Sequence, residues 1–366
     1  MRRIVINGAN GYVASNFINE LLKYDYEIIA LVRGNEKYSA KQKMYDALTE
    51  LNEKEFTGDE KLQVYSYSLN DENFALKRDE LSEIFSVDVD YFHFAATLKY
   101  DHKSKGEIFT TNLKGVENSL TIFSKNSSSL SRFFFISTAY SCGKIDGVFK
   151  EKFYDNEDIS SFRNYYELSK RYAENIVRKF IEEKGVQAYI LRLSQVVGRK
   201  EDGVTKTDYG IFDFSKRIFN IASRYPNRTV RVRVDTKGTQ NLIPVDTTVF
   251  YLKKTLESDN VPVILNFNSK KSTENRVIIE TINELLPVNI VPDKDIKDEE
   301  MDSVERLIAI GMSFTGGYID TNLKFETTER DKIIPTNGYE ISDEAVNKMI
   351  RYFIKTLDHD KKVAAK

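Results

Sequence analysis

Residues Ile4–Ala14 read IVINGANGYVA, a short β-branched run that breaks into two glycines three positions apart. A run of this kind suits a strand buried on both faces. Gly8 permits a tight turn, Gly11 permits close approach of a ligand to the backbone, and Ala14 is small where a third glycine is usual. Downstream, Phe17, Ile18, Leu21 and Leu22 recur at helical spacing, and Ile28–Val32 (IIALV) is a second buried run. Strand, glycine turn, helix and strand within about 30 residues make a βαβ unit. The helix that follows the turn offers free N–H groups and the positive end of its dipole to a pyrophosphate.

The alternation continues. Strands are predicted at Val64–Tyr67, at Val87–Phe94 with an alternating pattern, at Phe133–Ser137 (FFFIS) and at Ala188–Leu193. Helices are predicted at Leu76–Phe85, Asn112–Phe123 and Tyr166–Ile181. This order predicts an α/β fold: a Rossmann-type doubly wound parallel sheet with a smaller, mixed C-terminal substrate-binding part. Past Gly198 the pattern loosens. Lys200–Tyr209 reads as a loop over the site, Ile211–Ile221 as a helix, Val230–Val234 as a strand, and Val261–Phe267 as a further strand of the sheet. Beyond Asn268 lie charge-rich helices and a tail, 361–366, expected to fray. The domains so predicted are 1–198, binding NADP(H) and carrying the catalytic residues, with its sheet completed by about 240–268, and a substrate-binding part of 199–239 and 269–366.

Composition narrows the function. The apolar fraction of 41% is that of a globular chain. Fifty-four Lys and Arg against 56 Asp and Glu leave a charge of -2, which gives no reason to expect nucleic acid as a partner. The acidic run Asp293–Asp302 reads as a solvated face. Cys142 is the one cysteine, so no internal disulfide forms, and the three histidines show no metal-ligand spacing. No secretory core and no apolar stretch of membrane-spanning length is present, so a cytoplasmic location is expected.

Two places carry chemistry. At the end of the second strand, where NAD enzymes place an acid for the ribose 2′-hydroxyl, stands Arg33, a suitable partner for a 2′-phosphate. This favours NADPH; the alternative reading is a surface arginine at a strand end. Tyr166 and Lys170 lie four apart in YYELSKRYAE, on one helix face. A phenol is a poor acid–base at neutral pH, and a neighbouring ammonium lowers its pKa, so that the pair can exchange a proton with a carbonyl oxygen while hydride moves. Ser137, the last residue of FFFIS, and Thr138 after it sit at the carboxyl end of a strand, where a hydroxyl could hold that oxygen.

Taken together these segments resemble the extended short-chain dehydrogenase/reductases, through NGANGYVAS, FHFAAT, TTNLKG, YELSK and IPVD at 243–246. By that resemblance TAYSCG supplies the catalytic hydroxyl five positions before its glycine, which selects Thr138; Tyr166 and Lys170 complete the catalytic set. The resemblance also implies NADP(H) as cofactor, held by Gly8, Asn10, Gly11, Tyr12, Val13, Arg33, Leu69, Ala95, Ala96, Asn112, Tyr166 and Lys170, and no metal. The nearest likeness is to the thioester reductase and fatty acyl-CoA reductase (male-sterility-type) branch, through STAYSCGKIDG, LVRG followed by AKQKMYDAL, and MDSVERLIAIG…YIDTNLKFETT. It implies reduction of an acyl thioester, CoA- or carrier-bound, to an aldehyde or alcohol. The alternatives are a ketone or aldehyde reductase and a nucleotide-sugar epimerase or dehydratase; a nucleotide sensor without catalysis is the reading from another class. No adenylation or carrier domain is recognised, so the thioester is expected to arrive in trans. Relatives pair through the tyrosine–lysine helix, which leaves a homodimer open. The chain departs from the pattern at Ser68, where an acid is frequent, at Tyr165, where a proline commonly precedes the tyrosine, and after Arg192, where a proline is usual.

Overall fold

The computed structural model describes residues 2–311, 318, 321–335 and 340–364. The chain divides into two compact units. The first comprises Met1–Leu193, Thr248–Phe267 and Phe325–Pro335; the second comprises Ser194–Thr247, Asn268–Lys324 and Thr336–Lys366.

Seven parallel strands build the first unit: β1 (Arg3–Asn7), β2 (Glu27–Val32), β3 (Leu62–Ser66), β4 (Val89–His93), β5 (Arg132–Thr138), β6 (Ala188–Leu193) and β7 (Ile264–Phe267). They lie in the order β3-β2-β1-β4-β5-β6-β7. This is the doubly wound Rossmann-type sheet, and its order reverses between β1 and β4. Ligands of such sheets bind beyond the carboxyl ends of the strands at that switch point. The helices that matter for the site are α1 (Tyr12–Leu21), α2 (Ala40–Asn52), α3 (Arg78–Ile84), α4 (Gly115–Asn126) and α5 (Tyr165–Lys184).

The centre of the sheet is aromatic. β4 and β5 pair Tyr91 with Phe133 and Phe92 with Phe134, and the rings stack at 5.1 and 4.5 Å between centroids. The ladder continues to Tyr189 of β6 at 5.2 Å from Phe134. Large flat side chains on adjacent parallel strands fill both faces, so every residue of β5 is buried. The same holds for β4, which does not alternate as its sequence suggests: Asp90 and His93 are as buried as Tyr91 and Phe92. Asp90 is covered because Arg132 pairs with it, at 2.7 and 3.0 Å.

Other elements differ from the sequence reading in their ends. The helix predicted from Leu76 starts at Arg78, because a 3₁₀ turn at Glu72–Ala75 holds Asn73, Phe74 and Ala75 at positive φ. The helix predicted from Asn112 begins at Lys105 and passes through a π turn at Thr110–Lys114. Val230–Val234 does not join the large sheet: among the described residues, Arg228–Val232 forms a two-stranded parallel sheet with Val288–Pro292. That pair, with the helices Ile211–Arg224, Asn275–Leu285 and Asp343–Ala364, encloses the core of the second unit around Ile218, Val230, Ile282, Ile290 and Ile350. The last helix runs to Ala364, so the tail is helical where it is described; Ala365 and Lys366, like Ile319 and Asp320 of YIDTNLKFETT, lie outside the described residues. In the acidic run, Asp298 and Asp302 are exposed and meet Arg233 and Arg228, each at 2.6 Å.

The return of Phe325–Pro335 to the first unit has no counterpart in the sequence reading. Polar contacts to backbone hold it. The Glu151 carboxylate accepts from the N–H groups of Asn266 (2.9 Å), Glu329 (2.6 Å) and Arg330 (3.3 Å), and Asn266 Nδ2 donates to the carbonyls of Phe149 and Glu326. Such bonds leave no hydrophobic periodicity to read.

Candidate active site

β1 ends at Asn7, and the next residue turns sharply. Gly8 has φ +61°, and a Cβ there would sit 2.9 Å from the Ala95 nitrogen, so only glycine fits. The Gly8 N–H donates to the Tyr67 hydroxyl at 3.2 Å. Gly11 closes the turn through its N–H to the Gly8 carbonyl (2.9 Å) and caps α1 without a side-chain bond. The first N–H groups of α1 therefore have no side-chain cap. Asn10 and Gly11 are exposed, Tyr12 and Val13 half-buried, and Ala14 is packed inside. Small residues here bring helix and sheet together, as the third glycine does elsewhere.

Asn7, which the sequence reading passed over, ties this turn to the end of β4. Its Oδ1 accepts from the Ala95 N–H at 2.9 Å, and its Nδ2 donates to Tyr91 Oη (3.1 Å) and His93 Nδ1 (2.9 Å). Burial, with the Lys170 charge nearby, pushes the His93 imidazolium down to about 3, so the ring is neutral. Ala95 and Ala96 thus start the loop after β4 directly against the glycine turn. Leu69 lies in the turn after β3, packed so closely on α4 that a Cβ at Gly115 would meet its Cδ2 at 2.6 Å. Arg33 follows β2; its side chain is exposed and its charge is felt at Tyr67, the residue that holds Gly8. Lys43 Nζ donates to the Arg33 carbonyl at 3.0 Å, which brings a second cation to the end of β2.

Asn112 stands in the π turn and is almost wholly buried. Its Oδ1 accepts from the Thr97 N–H (2.8 Å) and its Nδ2 donates to the Thr97 carbonyl (3.2 Å) and to Ser169 Oγ (3.0 Å). Ser169 in turn donates to the Tyr166 carbonyl at 2.8 Å. Asn112 is therefore the link between the loop after β4 and the helix of Tyr166. A π turn places one extra residue in the helix and turns its side chain inward, a device frequent at functional sites.

The hydroxyl, phenol and ammonium singled out in the sequence come together at the end of β5. Thr138 closes that strand; its Oγ1 accepts from the Tyr140 N–H (3.2 Å), reaches the Leu193 carbonyl (3.3 Å) and hydrogen-bonds the Tyr166 side chain. Tyr166 and Lys170 sit in the first turns of α5. Asn164 caps that helix, its Oδ1 accepting from the Glu167 N–H at 3.0 Å, so the helix starts cleanly with Tyr165 where the family has proline. Ser137, the other candidate hydroxyl, points elsewhere and donates to Glu174 at 2.6 Å.

The electrostatics differ from the simple picture of an ammonium acidifying a phenol. Burial raises the Tyr166 pKa above its ordinary value, opposed by the hydrogen bond from Thr138. Lys170 Nζ donates to the Ile136 carbonyl at 2.9 Å and lies 5.0 Å from the centre of the Phe135 ring. Burial lowers the Lys170 ammonium to about 8, opposed by Glu174. Tyr166 is thus a protonated donor at neutral pH, the form that a reduction uses. Cys142, near in sequence to Thr138, is buried; its thiol donates to the Gly143 carbonyl and is pushed up to about 12 by burial and by Glu167. Among the described residues no three His, Cys, Asp or Glu side chains form a metal-binding group, and no helix is long and apolar enough to cross a membrane.

Against known proteins, residues 6–251 match an NAD-binding domain family described as male sterility protein. The chain belongs to that family. It is of the extended short-chain dehydrogenase/reductase type, which indicates an oxidoreductase. A cinnamoyl-CoA reductase of Medicago truncatula is 27% identical over 233 residues, 61% of this chain, and the match spans 66% of that reductase. The terminal R domain from the myxalamid PKS-NRPS biosynthetic pathway superposes with a TM-score of 0.78 at 16% identity, covering 99% of this chain and 91% of that one. A UDP-glucuronic acid 4-epimerase from Bacillus cereus, solved with NAD, gives a TM-score of 0.65 at 16% identity over 97% of this chain and 99% of the epimerase.

Proposed function

We propose that this male-sterility-family protein is an NADPH-dependent reductase of acyl thioesters, releasing an aldehyde, or beyond it an alcohol, and a thiol. The observation that carries the reading is the meeting of Thr138, Tyr166 and Lys170 at the end of β5, in a chain whose family match runs through all three. The thioester rests on the family and on relatives such as the cinnamoyl-CoA reductase, whose name gives its own substrate class.

The residues fit a dinucleotide. A glycine cradle that a Cβ would fill, and an α1 N-terminus without a side-chain cap, suit a pyrophosphate at Gly8, Asn10, Gly11, Tyr12 and Val13. Arg33, exposed and with Lys43 beside it, suits a 2′-phosphate rather than a 2′-hydroxyl. Leu69, Ala95 and Ala96 follow the ends of β3 and β4, Asn112 is bonded to the loop after β4, and Lys170 would hold the nicotinamide ribose. When bound, the cofactor would supply hydride to the thioester carbon.

The protein's own part is electrostatic and protonic. Negative charge grows on the thioester oxygen as hydride arrives. Thr138 and Tyr166 donate hydrogen bonds to it, stabilisation realised mainly in the transition state. Tyr166 delivers its proton to that oxygen, and the Lys170 ammonium steadies the phenolate left behind. When the tetrahedral adduct collapses, its hydroxyl proton returns to the Tyr166 phenolate, the carbonyl re-forms, the C–S bond breaks, and the departing thiolate takes a proton from solvent. Cys142 takes no part, because a thiol at about 12 is not a nucleophile at neutral pH.

The test is incubation with NADPH and a panel of acyl-CoA and carrier-bound thioesters, with assay of free thiol and aldehyde. Release of both is expected. Turnover of a ketone or a nucleotide sugar with no thiol released would move the assignment to another extended-type enzyme.

A further inference from the structure

Glu174 is a carboxylate near the catalytic set that accepts four hydrogen bonds, and nothing in the reaction above uses it. It lies four residues past Lys170 and is buried on the same face of α5. Its Oε1 accepts from Ser137 Oγ (2.6 Å), Ser141 Oγ (2.9 Å) and Arg192 Nε (3.0 Å), and its Oε2 accepts from Arg192 Nη2 at 2.7 Å. Ser137 immediately precedes Thr138, and Ser141 follows it by three. The carboxylate therefore grips the Thr138 turn on both sides. Lys170 holds the same strand end one residue earlier, through the Ile136 carbonyl.

We propose that Glu174 is a positioning residue of the active site: locked between Ser137, Ser141 and Arg192, its carboxylate fixes the strand end that presents the Thr138 hydroxyl and stands as a counter-charge on the Lys170 face of α5. Purely structural ion pairs of this kind are replaceable by apolar side chains at little cost. This one has a further effect. An ammonium as buried as Lys170 sheds its proton readily, and the carboxylate opposes that loss. The Ile136 carbonyl and the Phe135 ring face also favour the cation, but neither carries a negative charge. His93 of β4 is neutral, Phe135 of β5 offers a ring face, and Arg192 of β6 is itself a cation, paired to Glu174. On its own helix, Tyr166 is protonated, and Glu167 faces Arg163. Glu174 is thus the anion that faces Lys170.

This inference rests on Thr138, Tyr166 and Lys170 being the catalytic set, and the two fail differently. The substitution is Glu174→Gln, which keeps shape and hydrogen bonding and deletes the charge. In cofactor-free protein labelled with 13Cε-lysine, the Lys170 resonance, assigned by its loss in Lys170→Arg, is titrated by NMR. Wild type is expected to titrate near 8, and Glu174→Gln lower by about one pH unit or more, as on removal of a neighbouring opposite charge. The alkaline limb of kcat/KM with NADPH is expected to move by the same amount. Ser137→Ala/Ser141→Ala, which loosens the turn and keeps the charge, should lower kcat without moving the limb. If Glu174→Gln does not fold, Glu174→Gln/Arg192→Met, which leaves no unpaired buried charge, is titrated instead. An unmoved Lys170 midpoint in a folded variant overturns the proposal, whatever happens to the rate. Full activity of Tyr166→Phe would instead overturn the catalytic assignment on which it stands.

Discussion

Replacing Tyr166 with phenylalanine separates catalysis from stability in a single atom. The ring stays, half-buried in the first turn of α5, and only the phenolic O–H is lost. The fold should tolerate this. Thr138 forfeits its bond to the phenol, a loss of roughly 0.5–1.5 kcal/mol at most, and keeps the Tyr140 N–H and the Leu193 carbonyl as partners. The chemistry should not tolerate it. Burial holds the Tyr166 proton on the phenol, so Tyr166 is the acid that meets the developing oxyanion. Loss of a general acid costs about 10²–10⁴ in rate, or about 2.7–5.4 kcal/mol of transition-state stabilisation. The assay is kcat by NADPH absorbance, with cofactor binding by fluorescence and melting temperature measured alongside. Expected are a rate lowered by those two to four decades, a cofactor Kd within a few-fold of wild type, and a nearly unchanged Tm. A near-normal kcat in Tyr166→Phe would refute the assignment of the proton to this residue.

Further outcomes follow from the same geometry. Arg33→Ala should weaken NADPH binding by about tenfold or more, the equivalent of roughly 1.5–3 kcal/mol for a charge-assisted bond, and leave NADH binding unchanged; titration of both cofactors decides, and equal preference in both proteins would remove Arg33 from that role. Because burial lowers the Lys170 ammonium to about 8, its charge is present below that pH and lost above it, so the reduction rate should fall as pH climbs through 8. Cys142→Ala should keep activity, and the wild-type enzyme should resist thiol reagents, since the thiol is buried and held near 12; loss of turnover beyond a few-fold would reopen a covalent route. Gly8→Ala should abolish cofactor binding and lower Tm, because the added methyl meets the Ala95 nitrogen at 2.9 Å in a backbone conformation that favours glycine.

Much of this site was legible because its parts are local. IVINGANG announces a strand and a glycine turn within eight residues, and YYELSK sets a tyrosine and a lysine on one helix face by spacing alone. FFFIS shows a buried strand, and its end fixes where the hydroxyl stands. What escaped the sequence is what only three dimensions bring together. Asn7 looked like part of a turn, yet it is the peg between β1 and the end of β4. Glu174 follows Lys170 by four, a spacing that could have flagged it, but its partners come from β5 and β6. α2 buries only Ala40, Met44 and Leu48, so its apolar stripe is too thin to stand out in AKQKMYDALTELN. Val245–Glu257 begins with β-branched residues that disguise a helix. The alternation in VDVDYFHF misled because Asp90 is buried through Arg132, a partner 42 residues away.

The central claim is that hydride reaches a thioester carbon whose oxygen is held by Thr138 and Tyr166. The most direct measurement is a single turnover with NADPH deuterated at the transferred position of the nicotinamide and an acyl-CoA, read by mass spectrometry of the product together with free thiol. The account predicts an aldehyde carrying one deuterium on its carbonyl carbon, or an alcohol labelled there after a second reduction, with one thiol released per acyl group, in wild type and not in Tyr166→Phe. Oxidised cofactor with no thiol released, or thiol released with no deuterium at that carbon, would contradict it.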